Sequence, residues 1–201
     1  MSDAQPVRGT GEHRSLTHAA PTLETERLVL RHYRKQDFRP HHAIVGDDEV
    51  MRYIGGAGLT AEDCWRRLAA AVGSWPLLGF GGWAVVRRSD DQLIGTVSLF
   101  NAWRALEPQF GEDPEMGWIF SREVQGQGLA FEACRAVLDW ADDAFGPLPI
   151  WAIVAPENEP SLKLADRLGF ERLGDSVYHG EPTAVLRRLP AAAAAAPATA
   201  A

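Results

Sequence analysis

Apolar residues recur at the three- and four-residue spacing of a helix over residues 131–145. Charged residues such as Arg135 and Asp139 occupy the other positions, so one face of this segment is apolar and the other is polar. Gly146 and Pro147 follow directly, which is a common end for a helix. The pattern predicts an amphipathic helix that packs one face against a core.

Short apolar runs on both sides of this helix predict strands, over residues 115–120 and 150–155. A strand–helix–strand unit joins parallel strands through a right-handed crossover. Gly117 lies inside the first run, and a glycine within a strand commonly marks a bulge or a close backbone approach. We therefore expect a parallel pair of strands, with a bulge or a close backbone approach at Gly117.

The remaining segments alternate between apolar and polar residues or repeat with helical spacing. The predicted strands are residues 26–31, 81–87, 93–99, 171–178 and 183–189, and the predicted helices include one that follows Thr60 and one over residues 161–168. The helix after Thr60 is expected to turn Trp65, Leu68, Ala69 and Val72 inward. This order predicts an α/β (α+β) fold, with a mixed, mostly antiparallel sheet of about seven strands and helices on both faces.

The length of the chain bounds the number of domains. With 201 residues, the chain is long enough for one domain with a substantial core. Residues 1–21 are polar and lack periodicity, and residues 190–201 are almost all alanine. We therefore expect a mobile leader and a disordered tail on either side of a single domain over residues 22–189.

Charge and apolar content narrow the function class. The formal net charge of -7 disfavours general nucleic-acid binding and mildly favours a cationic substrate such as an amine. No apolar run approaches the roughly 20 residues that span a bilayer, and the N-terminus lacks the apolar segment of a signal peptide. Cys64 and Cys134 fall in apolar helical patterns, which is typical of buried thiols in a reducing compartment. We expect a cytoplasmic protein that binds neither nucleic acid nor membrane.

The segment between the strand at 115–120 and the following helix carries the most specific chemistry. Gly126 and Gly128 can adopt positive φ angles and let a ligand approach the main chain closely. The helix that follows offers N–H groups without intrahelical partners and the positive end of its dipole. Together these features predict a binding site for a phosphate or diphosphate.

Of the other interpretations of this loop, the P-loop is excluded, and a dinucleotide-binding loop and an ordinary turn stay open. A P-loop would need a Lys followed by Ser or Thr, which is absent here. A dinucleotide-binding fingerprint would need a third glycine where Phe131 stands, although Glu157 lies where its ribose-binding acid is wanted. The loop could also be an ordinary glycine-containing turn between a strand and a helix.

The chain resembles the GNAT superfamily of acetyl-coenzyme A-dependent N-acetyltransferases, and most closely the branch that acetylates the N-termini of ribosomal proteins. The family's Q/R-x-x-G-x-G/A motif is matched by Gln125, Gly128 and Ala130. Further matching features occur in the family's order over residues 22–189: Thr25-Glu26-Arg27-Leu28-x-Leu30-Arg31, Glu115-Met116-Gly117-Trp118, Glu132-Ala133, and Asn158-x-x-Ser161 before Leu168-Gly169-Phe170.

The resemblance implies a site for acetyl-CoA. Main-chain groups of residues 126–131 would hold the diphosphate, and the strands that contain Trp118 and Trp151 would splay apart at Gly117 so that the pantetheine arm lies between them. Asn158 would hydrogen-bond that arm. The implied cofactor-binding residues are Trp118, Ile119, Phe120, Gln125, Gly126, Gln127, Gly128, Leu129, Ala130, Phe131 and Asn158.

The resemblance also implies catalytic roles. Glu115 matches the family's strand acid and would be the general base, and Ser161 would protonate or stabilise the departing thiolate. The alternatives are a solvated strand-end carboxylate for Glu115 and a helix cap for Ser161. Many members carry a Tyr as general acid where this chain has Ala165. That difference keeps a cofactor-binding sensor without turnover as an alternative to an enzyme.

The predicted function is therefore acyl transfer: an acetyl group passes from acetyl-CoA to an amine by direct attack within a ternary complex. The acceptor stays open between a protein N-terminus and a small-molecule amine, as does a homodimer. Trp103, Phe110 and Tyr178-His179 could line an acceptor pocket or form ordinary aromatic surface. No metal site is expected, because His41-His42 lacks a third ligand at metal spacing. A nicotinamide-dependent oxidoreductase is a further alternative.

Overall fold

The computed structural model describes residues 19–189, and the residues before and after that range, including most of the predicted leader and the tail, lie outside it. The strands are β1 Leu23–Glu24, β2 Leu28–Arg31, β3 Gly82–Arg87, β4 Gln92–Phe100, β5 Glu115–Phe120, β6 Ile150–Val154, β7 Glu171–Tyr178 and β8 Glu181–Arg188. The helices are α1 Phe38–Val45, α2 Asp48–Met51, α3 Ala61–Leu78, α4 Leu129–Phe145 and α5 Glu159–Arg167.

The strands form one eight-stranded sheet in the order β1-β2-β3-β4-β5-β6-β8-β7. Every neighbouring pair is antiparallel except β5 and β6, which are parallel. The predicted fold class is confirmed. The expected strand count of about seven was one too low, because the two-residue strand β1 pairs with β2 and carries too little pattern to be recognised.

The parallel pair touches at one point only. β5 and β6 are in register at Glu115 and Trp151, and no further pair is formed between them. On its other side β5 pairs with β4 without interruption, from Phe120 opposite Gly95 to Glu115 opposite Phe100. The two parallel strands therefore diverge directly after Glu115, and a gap opens between them in the middle of the sheet.

The expected bulge at Gly117 is wrong, because the β4–β5 register runs through Ser98 and Gly117 without a shift. Gly117 has a packing role instead: a Cβ placed on it would lie 3.1 Å from Cε1 of Phe100. The glycine makes room for that ring on β4. β5 and β6 therefore diverge after Glu115 without an extra residue being inserted into β5.

Helices cover both faces of the sheet. On β5, Trp118 packs against the main core, which α4 supplies with Ala133, Cys134, Val137, Leu138 and Ala141. Its neighbour Ile119 packs against a second cluster formed by Val45, Met51 and Cys64, from α1, α2 and α3. Adjacent strand residues point to opposite faces, so these two contacts place α4 on one face and α1–α3 on the other.

The buried face of α3 differs from the predicted one. Trp65 and Ala69 are exposed, whereas Cys64, Leu68 and Trp75 are buried. Trp75 meets Trp83 edge to face with ring centroids 4.6 Å apart, so it is packing against the sheet that selects this face of the helix.

Candidate active site

The loop that follows β5 leads directly into α4. After a short 3₁₀ turn at Arg122–Val124, Gly126 has φ 74° and Gly128 has φ 75°. Residues that carry a side chain rarely adopt this left-handed backbone conformation, so glycine is the residue suited to both positions. Gly128 is the N-cap of α4, and residues 125–128 are exposed. The loop thereby turns the start of the helix toward solvent.

The main-chain N–H groups of this loop are available to a ligand. The first main-chain bond of α4 runs from the Glu132 N–H to the Gly128 carbonyl at 3.1 Å. Within the described part of the chain, the N–H groups of residues 126–131 donate to no acceptor. These donors stand at the positive end of the 17-residue helix α4. The arrangement is suited to an anion, and the assignment of these residues to the cofactor stays a prediction.

The acidic side chain in the first turn of α4 is fully paired. Glu132 Oε1 accepts from Thr25 Oγ1 at 2.6 Å and from the Arg27 N–H at 2.8 Å, and Oε2 accepts from Arg27 Nε at 2.7 Å. Burial alone would raise the pKa of Glu132, but these hydrogen bonds outweigh it and the pKa lies below its usual range. Arg27 also donates through Nη1 to the Gln127 carbonyl at 2.9 Å, which places a positive charge beside the loop.

The contact between Arg27 and Glu132 was not predicted. The two residues are 105 positions apart, and both belong to segments that were recognised only as separate motifs. The available signal was that both motifs occur in the family's order along the chain, but the order of motifs in a sequence does not show which of them are in contact in the folded protein.

A polar contact joins β5 to α5 across the gap between β5 and β6. The indole N–H of Trp118 donates to Ser161 Oγ at 3.4 Å. Ser161 lies in the first turn of α5, and the helix cap is Asn158, whose Oδ1 accepts from the Ser161 N–H at 3.3 Å. The alternative that Ser161 itself caps the helix is therefore wrong. Because the Trp118 N–H occupies a lone pair of Ser161, the hydroxyl hydrogen stays available to another acceptor.

Glu115 is buried at the point where the strands diverge, and only 3% of its surface is exposed. Its carboxylate accepts two hydrogen bonds from Arg104, to Oε2 from Nε at 2.5 Å and to Oε1 from Nη2 at 2.8 Å. Burial raises the pKa of Glu115, and the guanidinium of Arg104 opposes that rise. The alternative of a solvated strand-end carboxylate is wrong, and Arg104 was missed because nothing in the sequence of its loop marks it.

The aromatic residues considered for an acceptor pocket have different surroundings. Tyr178, at the end of β7, lies under the guanidinium of Arg104, with 4.6 Å between the Arg104 Cζ and the ring centroid. Phe110 stacks on Trp151 with ring centroids 4.6 Å apart. Trp103 is 73% exposed. The loop over residues 101–114, the start of β5 and the tip of the β7–β8 hairpin therefore converge at Glu115.

Residues 19–189 contain no cluster of three or more His, Cys, Asp or Glu side chains arranged to hold a metal ion. His41 is buried against Tyr33, and burial lowers its pKa to about 4. The ring of His42 contacts the Leu59 carbonyl instead, with its Nε2 3.1 Å from that oxygen. No helix in the same range is long and apolar enough to cross a membrane.

Comparison with known proteins agrees with this geometry. A family model for the acetyltransferase (GNAT) domain matches residues 27–171, which includes the loop, Glu115 and Ser161. This chain belongs to the GNAT acetyltransferase family. As a GNAT protein it is an acyltransferase, and the family transfers acetyl groups from acetyl-CoA as co-substrate.

Relatives of this GNAT protein are known in sequence and in structure. YoaA of Bacillus subtilis, an uncharacterised N-acetyltransferase, is 30% identical over 155 residues, which cover 77% of this chain and 85% of YoaA. A GNAT-family structure from Bordetella pertussis has 31% identity and a TM-score of 0.74, covering 84% of this chain and 99% of its own. The ribosomal-protein-S5-alanine acetyltransferase of Vibrio fischeri shares the fold at 23% identity and a TM-score of 0.68, over 85% of this chain and 97% of its own.

Proposed function

We propose that this GNAT enzyme acetylates a primary amine by direct attack of the amine on acetyl-CoA held in the same complex. The observation that carries the proposal is that β5 and β6 pair at a single point and then diverge. The space between the two strands has Glu115 at one end and the N–H groups of the loop at the other. β5 spans about 17 Å between these ends at roughly 3.3 Å per residue. An extended carrier fits that distance, with its anionic part at the loop and its reactive end near Glu115.

The main chain would hold the carrier at two places. The N–H groups of residues 126–131 would bind the diphosphate, with the positive charge of Arg27 nearby. Main-chain groups of Trp118 and Phe120 would bind the pantetheine arm as a neighbouring strand would, whereas Ile119 turns its main-chain groups to Thr96 on β4. The amide group of Asn158 would complete the binding of the arm, since its Oδ1 serves the helix cap and its NH₂ group is left to donate.

Two side chains would assist the chemistry. The amine nitrogen forms a bond to the thioester carbonyl carbon, the carbon–sulfur bond breaks, and the amine proton passes to Glu115 directly or through water. The leaving sulfur departs as a thiolate. Thiols are acidic compared with alcohols, and that of cysteine has a pKa of about 8.5, so the thiolate needs a hydrogen bond more than a full proton. The Ser161 hydroxyl would supply that hydrogen bond, because Trp118 already occupies one of its lone pairs.

The acceptor is proposed to be an amine of low basicity, above all the α-amine of a peptide N-terminus. Deprotonation at neutral pH costs about 1 kcal/mol for an α-amine of pKa near 8, against about 4 kcal/mol for a lysine amine of pKa near 10.4. Burial raises the pKa of Glu115 and Arg104 opposes that rise, so the carboxylate is a modest base, and such a base suffices for the α-amine but not for the lysine amine. The Vibrio fischeri enzyme with the same fold is named as an acetyltransferase of a ribosomal-protein alanine, which is compatible with this class.

Thermal unfolding with acetyl-CoA tests the binding site. A ligand at about a hundredfold excess over its Kd stabilises the folded state by about 2.7 kcal/mol, so the melting temperature should rise. Gly128→Ala should reduce this rise, because the new methyl group lies on the exposed loop where the diphosphate is proposed to approach. Gly79→Ala is the matched control: Gly79 has φ 79° and ψ 2°, Gly128 has φ 75° and ψ 2°, and Gly79 ends α3 instead of starting α4.

Both substitutions should lower the melting temperature of the free protein similarly, because alanine in the left-handed region costs about 1–2 kcal/mol. Only Gly128→Ala should lose cofactor stabilisation. A free protein that acetyl-CoA does not stabilise at all contradicts the proposal. Thiol release should then be measured with alaninamide, N-terminal alanine and serine peptides, Nα-acetyl-lysine and spermidine. Stabilisation without turnover on any of them would favour a cofactor-binding sensor, the alternative suggested by Ala165.

A further inference from the structure

The carboxylate proposed as the base is held by one cation. Arg104 binds both oxygens of Glu115 through Nε and Nη2 in a side-by-side arrangement. Both side chains are largely out of solvent, since 16% of the Arg104 side chain and 4% of the Glu115 side chain are exposed. Within the described residues, no other cationic side chain bonds to this carboxylate. The pair lies where β5 and β6 separate.

The surroundings of the pair are mostly aromatic. The ring of Tyr178 lies under the guanidinium from the β7–β8 hairpin, with His179 against Tyr178, and Phe100 faces it from β4 with 6.0 Å between the Arg104 Cζ and the ring centroid. Trp151 is the partner of Glu115 on β6. The charged neighbours of Trp151 are Asp113 and Arg187, which contact its indole and not the carboxylate.

Such surroundings determine what Arg104 can do. A buried carboxylate without a partner binds a proton, whereas a guanidinium beside it favours the ionised form. A fork-to-fork contact also fixes the plane of the carboxylate. Each carboxylate oxygen has two lone pairs, so the bidentate contact leaves one on each oxygen for an acceptor amine.

We propose that Arg104 is the positioning residue for the general base: it keeps Glu115 ionised and aims its free lone pairs at the acceptor. This inference rests on the proposed function, in which Glu115 takes the proton of the attacking amine. The positive charge of Arg104 near the acceptor also favours a neutral amine over an ammonium ion, since like charges disfavour the charged form. This effect adds to the preference for α-amines over lysine side chains.

A direct titration of Glu115 tests the inference without any acceptor. The side-chain carboxyl carbon can be followed by NMR in protein labelled with ¹³C-glutamate, and Glu115→Gln assigns its signal. Arg104→Gln should raise the pKa of Glu115 by about 1–3 units, the usual effect of losing an adjacent opposite charge. Arg104→Lys retains the charge without the fork and should give an intermediate value, and it remains a usable variant if Arg104→Gln fails to fold.

The matched control is Arg172→Gln, which removes an exposed arginine paired with Asp175 on β7 and should leave the Glu115 titration unchanged. An unchanged Glu115 pKa in folded Arg104→Gln, or in folded Arg104→Lys where only that variant folds, would overturn the inference.

The kinetic readout separates the inference from the proposed function. With alaninamide and acetyl-CoA, kcat/KM is divided by the fraction of alaninamide that is neutral at each pH, and the acidic limb that remains should move to higher pH in Arg104→Gln by the same amount as the NMR titration, because the base must be ionised to act. A merely structural loss would lower the rate at all pH values without moving the limb, and would overturn the positioning role. A moved titration in an enzyme that transfers acetyl to no amine would refute the proposed function and leave Arg104 as the residue that keeps Glu115 ionised.

Discussion

At the scale of single residues, Glu132 shows how one carboxylate joins distant parts of the chain. It binds Thr25 and Arg27 in the segment before β2, and Arg27 reaches on to the Gln127 carbonyl. Glu132 also stands in the first turn of α4, where the helix dipole favours a negative charge. The loop proposed to bind the diphosphate is therefore held in place by an ion pair, and the glycines alone do not fix it.

Replacing Glu132 by Gln should lower the free energy of unfolding by about 1–2 kcal/mol at neutral pH, because charge-assisted hydrogen bonds are lost. The loss is no larger because Arg27 is half exposed, which weakens its ion pair with Glu132. The pKa of Glu132 is lowered in the folded state, so its contribution is present above the ordinary glutamate pKa and is lost as pH falls through the folded value. Urea unfolding should therefore show a gap between wild type and variant that closes below about pH 4.

Glu62→Gln is the control for this prediction. Glu62 occupies the first turn of α3 and pairs with Arg66, but both side chains are well exposed. Its removal should change stability by less than about 0.5–1 kcal/mol. Equal effects of the two substitutions, or a Glu132 gap that persists in acid, would contradict the role given to the Arg27 contact.

Residues with a chemical motif could be found in the sequence, and residues that act on them through space could not. Glu115 and Ser161 lie in short patterns with a family likeness. The burial of Glu115 and its pairing with Arg104 depend on the path of the loop over residues 101–114, which has neither helical nor alternating periodicity. The hydrogen bond from Trp118 to Ser161 likewise depends on how far β5 stands from α5.

At the scale of elements, the sequence predicts an element well where one hydrophobic pattern dominates, and poorly where two patterns overlap. The apolar run over β5 gave its bounds, Glu115–Phe120, as the structure has them. The helix α3 carries apolar residues on more than one face, and the sequence pattern predicts that Trp65 points to the core. In the structure Trp65 is 48% exposed and Cys64 is buried instead. The four-residue helix α2 is too short to show periodicity in the sequence, and the side chain of Asp47 caps its first turn by accepting from the Glu49 and Val50 N–H groups.

The caps of α5 and α3 offer a prediction at this scale. Asn158→Ala and Thr60→Ala each remove a side chain that accepts a hydrogen bond from a first-turn amide, from Ser161 in α5 and from Asp63 in α3. Each should lower the free energy of unfolding by about 1 kcal/mol in urea titrations. Only Asn158→Ala should also lower kcat with alaninamide, because Asn158 caps the helix that carries Ser161 and is also proposed to bind the pantetheine arm. If both variants lose the same fraction of activity, Ser161 has no special dependence on its cap.

At the scale of the whole molecule, one main-chain bridge divides the sheet into two parts. β1 to β5 form one part and β6, β8 and β7 form the other, and among the described residues only Glu115 and Trp151 are in register between them. The crossover helix α4 and contacts such as that of Trp118 with Ser161 hold the parts together. Divergence at this bridge exposes main-chain groups inside a folded sheet, where a strand would ordinarily pair them.

Hydrogen exchange measured with and without acetyl-CoA tests whether those groups bind the carrier. Peptides that cover β5 beyond Glu115 should exchange faster in the free protein than peptides of β3, which is paired on both sides. Acetyl-CoA should slow exchange both in residues 116–120 and in the loop over residues 125–131, because the arm and the diphosphate engage different amides of one continuous site. Peptides of β3 should not change.

The pattern of protection separates two geometries. Protection of the loop alone would mean that the diphosphate binds as proposed while the arm lies outside the gap, and Glu115 would then be too remote to serve the thioester. Protection of β5 together with β6 would instead place the arm between the strands, with its reactive end at the residue where their pairing stops. Only this second geometry explains why β5 and β6 pair at Glu115 and Trp151 alone. The pairing then stops at the place where the amine has to reach the thioester of the carrier.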